Sequence, residues 1–340
     1  MRSILIVRAG AVGDAVLTLP LLETFVGAEP ARIGVLGAPS SWAFLAPGRI
    51  ELLDIAGREW LGLFADGTSL APNAQAAARG FDTAIVLLGK ERARVERALR
   101  TLGIAALAAA TPATKDEVAS ESAPVENLTE WHWPPGPAHA ASRLLRSLRH
   151  LEGGDTQSAW PATQRTLEES PHLRIERAEV ERVFHDLDLA PISPPGILAI
   201  HPGSGGAAKR WPAVRFVELA LAAEKRCGVA PIFIAGAADA EVWRQVRTAL
   251  PRGYRPRVLL DRPIREVLAL LSLARAYVGN DSGITHLAAR ACPTLALFGP
   301  TDPAVWHPVG RRVATLRASR GRLENLPLET VLEGLSRLLD

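Results

Sequence analysis

Along the chain, short apolar runs end in polar, glycine-bearing turns and are followed by stretches of helical periodicity. Ser3 to Val7 reads as a strand buried on both faces, and the turn from Arg8 to Asp14 leads into a helix face of Ala15, Val16, Leu19, Leu22 and Phe25. Pro20 inside that helix predicts a kink. Strands are expected at Ile33 to Leu36, Ile50 to Ile55, Thr83 to Leu88 and Leu102 to Leu107, with a helix starting at Ser40 to Leu45. His139 to Leu151 then predicts a helix with leucines on one side and arginines on the other. Leu102 to Pro137, by contrast, is largely irregular and rich in Ala, Pro and Thr.

Gly153 to Pro171 has the polarity of a linker, Glu176 to Leu187 predicts a helix, and Pro191-Ile192-Ser193-Pro194-Pro195 is the stiffest stretch in the chain. A fresh alternation begins after it. Strands are predicted at Ile197 to Ile200, Pro231 to Ala235, Val258 to Leu260, around Tyr277 and Val278, and at Thr294 to Phe298. Helices are predicted at Pro212 to Arg226, Ile264 to Leu273, Ile284 to Ala291 and Leu328 to Leu339. This repeated order predicts an α/β fold of two doubly wound, Rossmann-like domains. Residues 1–190 form the first, 191–325 the second, and 326–340 a C-terminal helix free to pack back toward the first.

Composition narrows the class. With 340 residues, two domains are the default. Apolar residues make up 48% and charged residues 22%, as in a globular chain, and a net charge of only +3 lacks the basic stripe of a nucleic-acid binder. Cys227 and Cys292 read as buried free thiols in a reducing compartment. No segment reaches the ~20 apolar residues of a membrane span, and Ile4 to Val7 is too short for a signal peptide. A cytoplasmic location is expected.

Candidate chemistry gathers in the turns after strands, where open α/β sheets hold their ligands. Asp14 stands at a helix start and suits either an N-cap or a catalytic carboxylate. Lys90 and Arg92 follow a strand and suit either a solvated helix start or an anionic acceptor. The loop His201-Pro202-Gly203-Ser204-Gly205-Gly206-Ala207-Ala208-Lys209-Arg210-Trp211-Pro212 fails the P-loop pattern. Ala208 stands where its glycine should be, and Arg210 where its Mg²⁺-binding hydroxyl should be. Small residues and Lys209 can still cradle an anion. Asp239 and Glu241 offer carboxylates to ribose hydroxyls. Asn280, Asp281, Ser282, Thr285 and His286 crowd one helix start, where a cap needs only one polar group.

Three segments together, R-A-G-A-V-G-D-A-V-L-T-L-P, H-P-G-S-G-G-A-A-K-R-W-P and G-N-D-S-G-I-T-H-L-A-A-R with the later G-P-T-D-P, resemble glycosyltransferase family 9, the ADP-heptose:lipopolysaccharide heptosyltransferases. The resemblance implies a GT-B fold with two domains facing a central cleft and an inverting, metal-independent transfer that needs no cofactor. Its partners would be an ADP-sugar donor and a glycolipid or oligosaccharide acceptor, reached by a monomer through peripheral contact with the inner membrane surface. It implies Asp14 as general base, Arg8 beside it, and Lys209 stabilising departing ADP. Ser204 and Gly205 would contact the donor phosphates, Asp281 the donor sugar, and the N–H groups of Ser282 and Gly283 the pyrophosphate. His286 would either face the donor or pack internally, and Glu241, then Asp239, would meet the nucleoside. Lys90 and Arg92 would serve the acceptor. A GT-B epimerase and a non-catalytic nucleotide-sugar-binding protein are the readings from other classes.

Overall fold

The structure is a computed structural model that describes residues 3–25, 32–48, 50–65, 70–104, 106–109, 128–130, 139–146, 170, 172–189 and 196–340. Two compact units divide the chain. The first comprises Met1–Glu117 with Pro134–Arg174, and the second Val118–Trp133 with Ile175–Asp340.

The first unit holds a five-stranded parallel sheet in the order β3-β2-β1-β4-β5. Its strands are β1 (Ile4–Arg8), β2 (Ile33–Gly37), β3 (Glu51–Asp54), β4 (Thr83–Val86) and β5 (Ala106–Ala109). β1 is buried along its whole length, as a central strand covered on both faces must be. The helix Val12–Glu23 continues through Pro20. Leu5, Val7, Val86, Val95 and Leu99 share one core with Trp60 and Phe81.

The second unit holds seven strands in the order β6-β12-β11-β10-β7-β8-β9, parallel except for β6 (Thr129–Glu130) against β12 (Val313–Arg317). The others are β7 (Ile197–His201), β8 (Ala230–Ala235), β9 (Arg257–Leu260), β10 (Ala274–Asn280) and β11 (Thr294–Phe298). Leaving aside β6, the order is that of a dinucleotide-type doubly wound sheet, and it reverses between β7 and β10.

The expected boundary at residue 190 shifts. Helix Arg177–Asp186 belongs to the second unit, where the Arg265 guanidinium of helix Ile264–Leu273 holds the Glu179 carboxylate from Nε and Nη2, both at 2.5 Å. The C-terminal helix Leu328–Leu339 also stays in that unit. It buries Val331, Leu335 and Leu338 in the core shared with Phe216, Leu295 and Leu316. Its apolar stripe therefore has a partner within its own unit. Of the expected helix at His139 to Leu151, Ala140–Arg146 is helical, while residues 147–151 and the predicted linker at 153–169 and 171 lie outside the described residues. Cys227 is half-buried and Cys292 buried, both as free thiols.

Candidate functional site

In the first unit, the sheet order reverses between β1 and β4, the position at which open α/β sheets generally hold their ligands. Arg8 ends β1 with its side chain buried. Its Nη2 donates to Asp14 Oδ1 at 2.6 Å and its Nη1 to the Leu87 carbonyl at 3.2 Å. Loss of solvation lowers the Arg8 pKa from its ordinary value, against the opposing pull of Asp14. The Asp14 side chain keeps 37% exposure.

Asp14 is not the N-cap. Ala11 occupies that position, and Asp14 lies three residues on, where Oδ2 accepts the Ala11 N–H at 3.3 Å. One carboxylate thus closes a helix start and binds Arg8 while still facing solvent. Gly10 makes room for it, because φ there is +154° and a Cβ would stand 2.5 Å from Asp14 Oδ2. Arg92 pairs along its helix with Glu96 at 3.3 Å, which fits the solvated helix start. Lys90 is exposed, and no hydrogen bond joins it to Asp14 among the described residues.

In the second unit, the loops after β7 and β10 are laced together at the same kind of reversal point. Asn280 donates from Nδ2 to the Pro202 carbonyl at 2.8 Å and accepts the Trp211 N–H on Oδ1 at 2.9 Å. Ser204 Oγ donates to the Asp281 carbonyl at 2.8 Å, and Arg210 Nη2 donates to the Ser204 carbonyl at 2.8 Å. Trp211 anchors the loop in the core, edge-on to Phe216 at 5.1 Å, with its indole N–H on the Leu326 carbonyl at 3.0 Å. A single 3₁₀ turn, Ala207–Lys209, then aims Lys209. Its Nζ donates to Asp281 Oδ2 at 2.6 Å, and Thr301 Oγ1 donates to the same oxygen at 2.7 Å. The Lys209 side chain is 30% exposed and that of Asp281 only 8%. Gly205 is exposed, with no atom within 4 Å of where a Cβ would stand.

Ser282 is the N-cap of helix Gly283–Ala289, accepting the Thr285 N–H at 3.4 Å. Thr285 is buried, donating to the Asn280 carbonyl and lying 2.8 Å from the Tyr277 hydroxyl. His286 is buried beside His307, whose pKa burial pushes down to about 4 with His286 adding to the effect. Glu241 is exposed and binds Arg244 Nη2 at 2.7 Å, which with Gln245 holds its carboxyl below the usual range. Asp239 instead turns inward to His201, 3.1 Å away.

Of the residues singled out in the sequence, the structure brings Arg8 to Asp14 in the first unit, and Ser204 and Lys209 to Asp281, next to Ser282, in the second. Sequence reasoning missed the Leu87 carbonyl, Thr301 and the use of His201. A hydroxyl in the Gly299-Pro300-Thr301-Asp302 turn after a strand was the available signal for Thr301. Among the described residues no cluster of three or more His, Cys, Asp or Glu is placed to hold a metal ion, and no helix is long and apolar enough to cross a membrane.

Two Rossmann-like units with charged loops at their sheet reversals define a GT-B fold. The solved glycosyltransferase family 9 structure from Veillonella parvula matches at TM-score 0.72 and 21% identity, covering 99% of this chain and 97% of that one. The structure of Escherichia coli ADP-heptose lps heptosyltransferase II matches at TM-score 0.68 and 20% identity, covering 99% and 98%. The description of Glycosyltransferase family 9 (heptosyltransferase) fits residues 158–335, more than half of the chain, which belongs to that family. A curated relative, lipooligosaccharide heptosyltransferase 2 of Haemophilus influenzae, is 30% identical over 160 residues, or 45% of this chain; the match spans 46%, under half, of the relative's own length.

Proposed function

We propose that this protein is an inverting glycosyltransferase that moves a sugar, heptose on the family's precedent, from an ADP-sugar to a hydroxyl of a lipopolysaccharide-core or related glycan. The observation that carries the reading is the pair of oppositely presented ion pairs: Asp14 partly exposed on a buried Arg8, and Lys209 partly exposed on a buried Asp281. The first unit supplies a carboxylate that takes the proton of the acceptor hydroxyl as its oxygen bonds to the anomeric carbon. The bond from that carbon to the diphosphate oxygen breaks, and ADP leaves with the electron pair. The Lys209 ammonium offsets the charge that develops on the leaving diphosphate.

Donor binding exchanges part of the Lys209 contact from Asp281 to phosphate, freeing Asp281 to accept from sugar hydroxyls. Ser204, Gly205 and the backbone of Ser282 and Gly283 line the phosphates, and Glu241 is the nucleoside candidate. In this reading no metal takes part in the step. The acceptor is met from the cytoplasmic side, at the inner membrane face, by a monomer.

A screen of ADP-, GDP- and UDP-sugars tests this, with released nucleotide measured with and without a lipopolysaccharide-core extract. Acceptor-dependent release from an ADP-sugar is expected. Release of a free epimer without acceptor, or binding with no turnover of any donor, would overturn it.

A further inference from the structure

We propose that His201, braced by Asp239, is a positioning residue that ties together the three loops of the second unit carrying Lys209, Asp281 and the start of the Glu241 helix. The inference rests on the donor-binding reading above. His201 ends β7 and its side chain is only 5% exposed. Its Nε2 lies 3.1 Å from Asp239 Oδ2 in the turn after β8, and its Nδ1 lies 3.3 Å from Ser282 Oγ in the turn after β10. A carboxylate only accepts hydrogen bonds, so Nε2 carries a proton toward Asp239, and Nδ1 is left to meet the Ser282 hydroxyl. β7 is hydrogen-bonded to both β8 and β10, so one imidazole spans the ends of three neighbouring strands.

Two further observations show that the pair is built into the fold. The Asp239 side chain is 12% exposed, and its Oδ2 also accepts the Gly236 N–H at 3.0 Å. Burial would raise the Asp239 pKa, but the hydrogen bonds from His201 and the Gly236 N–H and the charge of Arg210 outweigh it and hold the carboxyl low. Gly203 lies directly beneath. A Cβ there would stand 1.9 Å from Asp239 Oδ1 and 2.7 Å from His201 Nε2, although the Gly203 backbone is not in the left-handed region. Glycine at 203 is thus required by the space the pair occupies. It follows that Asp239 acts through His201 and is not the nucleoside acceptor.

The test uses the full chain, with ADP and inorganic pyrophosphate as calorimetric probes and ¹⁵N shifts of the His201 ring as a ligand-independent readout. Asp239→Ala should weaken both probes about tenfold, the scale of one positioned hydrogen bond. Asp239→Asn keeps an oxygen acceptor for Nε2–H and should restore most of the affinity. The double variant Asp239→Ala with Ser282→Ala should bind no worse than the weaker single variant, whereas independent roles would multiply to about a hundredfold. The ring should be protonated on Nε2 in the parent and become a tautomer mixture in Asp239→Ala. Unchanged affinity in Asp239→Ala, multiplied losses, or an unmoved tautomer would each overturn the brace. If Asp239→Ala does not fold, Gly203→Ala provides the same disruption without removing a polar group. A parent chain that binds neither probe overturns the donor reading instead, and the tautomer then decides the brace by itself.

Discussion

The two units solve one problem in opposite senses. Each ends a central strand region with a cation 2.6 Å from an aspartate, Arg8 with Asp14 and Lys209 with Asp281. In the first, the cation is 5% exposed and the carboxylate 37%; in the second, the cation is 30% exposed and the carboxylate 8%. The buried partner in each case has an additional hydrogen bond, from Arg8 to the Leu87 carbonyl and from Thr301 to Asp281, as a desolvated charge requires. The exposed partner has spare capacity for a ligand. A carboxylate offered to solvent can take a proton, and an ammonium offered to solvent can take an anion. In the proposed function, burial more than the identity of the pair separates the two roles.

The largest effect should come from the carboxylate side. Asp14→Asn keeps the size and one acceptor oxygen, for either Ala11 or Arg8, but abolishes the base, so transfer should fall about 10²- to 10⁴-fold, the usual contribution of a general base. ADP affinity, read by calorimetry, should not change, because the proposed ADP site belongs to the other unit. Unimpaired transfer would reduce Asp14 to a helix-capping group. Next comes Lys209→Ala, which should weaken ADP about 10- to 100-fold, as expected for a charge-assisted contact. This variant also leaves Asp281 buried with Thr301 but without its cation, so thermal unfolding should be followed alongside binding. If ADP affinity is unchanged, the second pair is structural and the comparison fails on that side.

The residues that face solvent in these pairs were legible in the sequence, because each follows a recognisable strand and precedes a helical period. Their supports were not. Arg8 and Leu87 lie 79 residues apart, Ser204 and Asp281 77, and His201 and Ser282 81. Such contacts exist because the sheet order brings β1 beside β4 and β7 beside β10, and nothing in a local hydrophobic period specifies that neighbour. The same limit explains the domain boundary. Pro191 to Pro195, outside the described residues, reads in the sequence as a stiff segment, yet the affiliation of helix Arg177–Asp186 follows Glu179 meeting Arg265, 86 residues away. β6 is two residues long, too short to show an alternation.

A smaller effect should separate the carboxylate from its setting. In Gly10→Ala the new Cβ meets Asp14 Oδ2 at 2.5 Å and the backbone keeps a φ that alanine rarely adopts. A stability loss of about 1–3 kcal/mol is expected from the strained backbone, measured by denaturant titration, with lower transfer and intact ADP binding. Equal losses in transfer and ADP binding would mean that the variant damages the whole fold and says nothing specific about how Asp14 is presented.

The smallest effect is expected at Gly205, and there a near-zero result is informative. Its neighbour Gly203 has no room for a methyl group, whereas Gly205 has open space and no left-handed φ, so Gly205→Ala should change stability by no more than about 0.5 kcal/mol. If Gly205 reaches the diphosphate only through its backbone N–H from the side of the chain, ADP affinity should also stay within about twofold, the same energy expressed as a ratio. A tenfold loss with an unchanged unfolding curve would show that the ligand lies against the bare Cα. The second unit would then present a close-fitting backbone surface as well as an exposed ammonium, and its contrast with the first unit, which offers a single carboxylate, would be wider than the two ion pairs alone indicate.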